Sequence, residues 1–187
     1  YKIVKSLGID NKLQNMNVID VGCNNGRQVD KLRLLCKKLY LADIGTRALE
    51  DAKKTFLNAT TVKNSADNLE DVQSSDIDLY ISFRTYNSSY FLISKAIEEM
   101  SRVLCDNGNF ILSLPNGFLN SDGSITKGLL IPKTDIVDEN YVYTIASEIK
   151  RNANQFGFRN VKVCDSFYEV FVYGSRNEKS HELTKRI

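Results

Sequence analysis

Histidine is almost missing from this chain. Of 187 residues only His181 is one, and it lies in a charged tail. A histidine catalytic relay and a histidine metal site are thereby set aside, and no metal is expected. The four cysteines, Cys23, Cys36, Cys105 and Cys164, are scattered, with no Cys-x-x-Cys pair. That argues against zinc and against a disulfide framework, and for a reducing compartment such as the cytoplasm. No apolar run reaches the length of a membrane span, about 18 residues, and no secretory signal opens the chain. Charge of one sign is also lacking: the formal net charge of +2 is too small to argue for nucleic acid by itself. There is no internal repeat, low-complexity block or domain linker. The chain begins at Tyr1 rather than Met, as an excised portion of a longer protein would.

What is present reads as one folded core. Hydrophobic residues make up 42% and charged residues 26%, the balance of a globular domain, and the length suits one sizeable core better than two. The stretch that organises the rest is Asn17-Val18-Ile19-Asp20-Val21-Gly22-Cys23-Asn24-Asn25-Gly26-Arg27. An apolar strand ends in an acid, a Gly-bounded turn follows, and an amphipathic segment opens directly after it. Glycines let backbone N–H groups come close to a nucleotide-like ligand. The spacing is Gly-x-x-x-Gly, which is not the Gly-x-Gly-x-x-Gly of dinucleotide binders.

Strands and helices then alternate. Residues 1–16 predict a short leading helix that lies over the ligand. Asn17–Val21 is the first strand. Val29, Leu32, Leu35 and Cys36 recur at helical spacing from Arg27 to about Lys37. Strands follow at Leu39–Ala42, ending at Asp43, and at Thr60–Lys63, with a helix between them marked by Ala48, Leu49, Ala52 and Phe56. Asn64–Asp67 is a turn, and Ile77–Ser82 is a fourth strand. Asn87 or Ser88 is expected to cap the helix of Phe91–Leu104, whose apolar residues form one stripe. Asp106-Asn107-Gly108 stops that helix before a fifth strand, Asn109–Leu114. Residues 115–140 are too long for an ordinary connection. Tyr141–Phe156 is a helix ended by Gly157. Val161–Cys164 and Phe167–Tyr173, joined by Asp165-Ser166, can only pair antiparallel. The charged tail begins at Ser175. This alternation predicts an α/β fold: a parallel sheet with helices on both faces and a terminal hairpin.

The organising stretch resembles motif I of class I, Rossmann-like S-adenosylmethionine (SAM)-dependent methyltransferases, whose usual form is Asp/Glu-x-Gly-x-Gly-x-Gly. Asp20, Gly22 and Gly26 match it, and Asn24 stands at the middle glycine, a residue that tolerates left-handed backbone angles. Asp43 matches the acid of motif II, Ala66-Asp67 resembles motif III, Asp78–Phe83 resembles motif IV, and Arg102 to Leu112 resembles the motif around strand 5. The resemblance covers roughly residues 17–174. It implies a seven-stranded sheet ordered 3-2-1-4-5-7-6 with strand 7 antiparallel, S-adenosyl-L-methionine as cofactor, and methyl transfer as the activity. On that reading residues 1–174 are one domain and residues 115–140 are an insertion on the acceptor side, with Asn116, Phe118 and Leu129–Pro132 as walls.

The implied cofactor set is Asp20, Gly22, Cys23, Asn24 and Gly26 of the turn, Asp43 and Ile44 after strand 2, Ala66 and Asp67 after strand 3, and Ser82 and Phe83 at the end of strand 4. Gly22 and Gly26 would leave room for the methionine and ribose portions. Asp20 would orient the turn or meet the amino group. Asp43 can accept both ribose hydroxyls and Asp67 an adenine amine, while Ile44 and Ala66 flank the ring. Arg84 could bind an anionic acceptor, and Tyr86 could orient it or serve as base if its pKa were lowered. The bland readings stand beside these. An acid at a strand end is often a turn former or helix cap, and Tyr86 and Tyr90 could pack while Arg84 pairs with an acid. An acid after strand 2 also serves NAD; the turn spacing and the terminal hairpin favour SAM. No Asn-Pro-Pro-Tyr follows strand 4, which argues against adenine-N6 or glutamine-N5 methylation. The acceptor is a small molecule or peptide, a polar or anionic group methylated on O or N. RNA of the cap type is an alternative partner, as is a non-catalytic SAM-binding role in a larger polypeptide. No membrane partner is expected.

Overall fold

Seven strands form one twisted sheet in the order β10-β11-β5-β4-β1-β2-β3. The computed structural model describes residues 4–5, 8–166 and 168–176. The apolar runs become β1 (Asn17–Val21), β2 (Lys38–Ala42), β3 (Thr60–Val62), β4 (Ile77–Phe83) and β5 (Leu104–Pro115), all parallel to one another. β10 (Phe158–Ser166) and β11 (Glu169–Arg176) close the far side. β11 runs antiparallel to both β5 and β10, so this is the 3-2-1-4-5-7-6 sheet with its seventh strand reversed. Strands buried on both faces read as near-continuous apolar runs, which is why Val18, Ile19, Leu41, Leu79 and Ile81 are all buried.

Helices α2 (Ile93–Val103) and α3 (Tyr141–Gln155) cover one face. α2 buries Ala96, Ile97, Met100 and Val103, one stripe at helical spacing. Helix α1 (Thr46–Thr55) packs on the other face through Leu49 and Ala52. Among the described residues no helix is long and apolar enough to cross a membrane.

Several boundaries differ from the sequence reading. No α-helix forms after the first turn. Only Arg27–Val29 is a short 3-10 helix, and the chain continues through successive i→i+3 bonds, Val29 to Gly26, Leu32 to Val29 and Leu35 to Leu32. Apolar residues at 29, 32 and 35 fit a three-residue turn as well as a 3.6-residue one, so spacing could not separate the two. Residues 10–15 are likewise 3-10 rather than α, and the rest of the leading helix lies partly outside the described residues.

Asn87 and Ser88 do not cap α2, because the helix starts only at Ile93, after Leu92. β5 begins at Leu104, directly after α2, and the register jump between Ile77 and Leu79 absorbs the Asp106-Asn107-Gly108 segment as a bulge. Asp165 and Ser166 lie within β10 rather than in its turn, and β11 carries Ser175 and Arg176, so the tail begins later. The tail beyond Arg176, with His181, lies outside the described residues. Residues 115–140 hold two small hairpins, β6–β7 (Phe118–Leu119 with Ile125–Thr126) and β8–β9 (Leu129–Leu130 with Val137–Asp138).

Candidate active site

The carboxyl ends of β1, β2 and β4 meet at one edge, where strand order reverses and open α/β sheets bind ligands. A crevice of about 360 Å³ opens there. Gly22 and Asn24 line it from the turn after β1, Asp43 and Ile44 from the end of β2, Ala66 from the turn after β3, and Arg84 from the end of β4. These six, five from the implied cofactor set and Arg84 from the implied acceptor side, come together in one crevice.

Asp43 ties this edge together. Its Oδ2 accepts the backbone N–H of Asn24 at 2.8 Å and its Oδ1 accepts that of Gly45 at 2.8 Å. Asp43 is therefore a turn former. An ionised carboxylate offers about four acceptor positions, so two bonds leave capacity for hydroxyl donors.

The remaining residues of the implied set sit elsewhere. Gly26 has φ +77°, and a Cβ on it would lie 2.6 Å from the Phe56 ring. Its lack of a side chain serves packing against Phe56 at the end of α1. Gly22 and Cys23 both donate their N–H groups to Ala42 O, so these amides serve the turn itself. The Cys23 side chain is buried, and burial, then Asp20 and Asp43, push its thiol pKa up. Ser82 is fully buried and donates to Val21 O at 2.7 Å. Asp67 is half-buried, bonded to Ser65, and off the crevice wall. Phe83 lines a different hollow.

Tyr86 is not placed as a base. It is 1% exposed, its hydroxyl lies 3.1 Å from that of Tyr80, and its ring meets Phe91 edge-on at 5.4 Å. Burial pushes its pKa up, the direction opposite to that of a base working near neutrality. Arg84 is paired: its Nε donates to Glu169 Oε1 at 2.5 Å. The guanidinium expected to meet an anion is already engaged, because β11 places Glu169 opposite Pro115 at this edge.

Asp20 is the most perturbed acid. It is 1% exposed, and among the described residues neither oxygen has a hydrogen-bond partner. Burial, with Asp43 adding repulsion, raises its pKa from 3.8 to about 7. It lies beneath the turn rather than on the crevice wall.

Sequence reasoning missed Asn64, Ser65, Thr85 and Ser88, which also line the crevice. Asn64 Oδ1 and Ser88 Oγ are buried and, among the described residues, unpartnered. Asn64 and Ser65 directly follow β3, and that position was the available signal. Thr85 shapes the floor: its Oγ1 would lie 2.1 Å from a Cβ on Gly22. Residues 115–140 line neither this crevice nor the second hollow.

The sheet order, the reversed strand and the furnished carboxyl edge together define the class I methyltransferase fold. The sequence matches the family model described as "Methyltransferase domain" over residues 12–147, and the chain belongs to that methyltransferase family. Its fold is similar to that of a SAM-dependent methyltransferase from Mesorhizobium loti, with a TM-score of 0.68 at 12% identity, covering 94% of this chain and 96% of that one. A SAM-dependent methyltransferase from Aquifex aeolicus is similar at a TM-score of 0.69 and 18% identity, covering 93% and 87%. No curated protein matches the sequence significantly.

Proposed function

We propose that this chain transfers a methyl group from SAM to an oxygen or nitrogen of a small or medium polar acceptor, with the cofactor held in the crevice between β1, β2 and β4. The observation that carries this reading is the pairing of a hollow with unsatisfied polar atoms. Asn64 and Ser88 line a crevice of about 360 Å³, and among the described residues the buried Asn64 Oδ1 and Ser88 Oγ have no partner. Buried orphans of this kind are costly, about 1–3 kcal/mol each, and a polar ligand would satisfy them.

Asp43 would accept the ribose hydroxyls. Ile44, exposed at the lip, and Ala66, buried behind it, would flank the adenine. Asn64 Oδ1 would accept from the adenine amine, the role that the motif resemblance implied for Asp67. Asp20, beneath the turn, would favour a cationic ligand electrostatically without touching it. When bound, SAM supplies a methyl group on a positively charged sulfur. The chain's own part is positioning and the exclusion of water, with Phe91 at the crevice wall. Tyr86 keeps its phenolic proton, buried with its hydroxyl against that of Tyr80, and takes none from the acceptor. Arg84, paired with Glu169, gives an anionic acceptor no free cation.

Calorimetry tests the cofactor assignment. SAM and S-adenosylhomocysteine should bind, and NADH should not. Tight NADH binding without SAM heat would overturn it.

A further inference from the structure

A second hollow, of about 400 Å³, opens at the same carboxyl edge, within the range of small-molecule sites, about 300–1,000 Å³. Strand register builds its floor. Ile81 pairs with Ile111, Phe83 with Ser113, and Ser113 with Phe171, so these side chains share one face of the sheet. Leu32, from the turns after β1, adds a further apolar wall. Arg84 lines both this hollow and the crevice, so the two spaces adjoin at that residue.

The polar end of the hollow is Glu169. Its Oε1 is taken by Arg84, while its Oε2 is buried and without a partner among the described residues. A buried carboxylate oxygen left unpaired is unfavourable until a donor reaches it. Arg84 and Glu169 cancel in charge, and the other polar groups here, Gln28, Ser113 and Ser166, are neutral. Among the described residues nothing in the lining offers an unpaired cation to a carboxylate or phosphate.

We infer that this hollow is the acceptor chamber, and that its ligand is a small molecule with an apolar body and an amine or hydroxyl head that donates to Glu169. The assignment as acceptor chamber rests on the methyltransferase reading above; the ligand chemistry rests on the hollow alone. The apolar floor holds the body, and Glu169 fixes the head at the side where Arg84 borders the crevice.

Three probes of matched body test this by ligand-observed NMR on the full chain: 2-phenylethylamine, 2-phenylethanol and 3-phenylpropanoate. The amine and alcohol should bind, and the carboxylate should bind at least tenfold more weakly. Phe171→Trp, which fills the hollow from a half-buried position, should abolish probe binding while SAM affinity by calorimetry stays within threefold. Glu169→Gln should reduce the amine-over-carboxylate preference to less than threefold. Absence of probe binding, equal binding of all three, or binding untouched by Phe171→Trp would overturn the inference. If the probes bind as described but SAM does not, the ligand chemistry stands and the assignment as acceptor chamber falls with the cofactor reading.

Discussion

The Asp43 carboxylate clasps the backbone N–H of Asn24 across the crevice lip at 2.8 Å, joining the turn after β1 to the end of β2. One side chain therefore shapes the turn and lines the crevice. Asn24 itself holds φ +51°, an angle that asparagine tolerates better than most residues.

Replacing that acid should separate binding from folding. Asp43→Ala removes a charge-assisted acceptor and should weaken SAM by about 1.5–3 kcal/mol, read by calorimetry. Asp43→Asn keeps one oxygen for Asn24 or Gly45 and should recover stability in urea unfolding more fully than SAM affinity. Unchanged affinity in the alanine variant would remove Asp43 from the site.

Gly26 and Gly22 should respond differently to alanine. Gly26→Ala drives a methyl group into the Phe56 ring at positive φ, at a cost of roughly 2–4 kcal/mol in stability. Because Gly26 is off the crevice wall, the folded fraction should keep SAM affinity within threefold. Gly22→Ala strikes Thr85 on the wall itself and should lose both. Chemical denaturation and calorimetry on each variant provide the comparison.

Asp20 gives the fold a pH signature. In the unfolded chain its proton leaves near pH 3.8; in the fold it is held until about 7. Between those values the native state binds the extra proton, so stability falls as pH rises. The contribution is complete below about pH 4 and lost above about pH 7, on the order of 4 kcal/mol in total. Urea unfolding of the ligand-free protein across this range should show that slope, and Asp20→Asn should flatten it. An Asp20 variant with the wild-type slope would refute the assignment.

Tyr86→Phe should leave methyl transfer within severalfold of wild type once an acceptor is in hand. Its cost falls on stability, about 1–3 kcal/mol, because the Tyr80 hydroxyl loses its partner. A hundredfold fall in rate, with a changed pH profile, would restore Tyr86 as a base.

The sequence by itself determined the alternation of strands and helices, the acid-ended strands, the terminal hairpin and the place of the ligand turn. These follow from local rules: apolar periodicity, glycine-bounded turns, and a link too short for anything but an antiparallel pair. Asp43 and Ile44 were legible because they directly end β2. Only the tertiary structure decided what sits opposite what. Arg84 meets Glu169 across 85 positions, Gly26 meets Phe56, and Tyr86 turns inward to Tyr80. The residues after Gly26 form tight turns because a spacing of three fits both kinds of helix. Side-chain roles of this sort depend on contacts between distant strands, and no local pattern in a chain encodes which distant partner arrives.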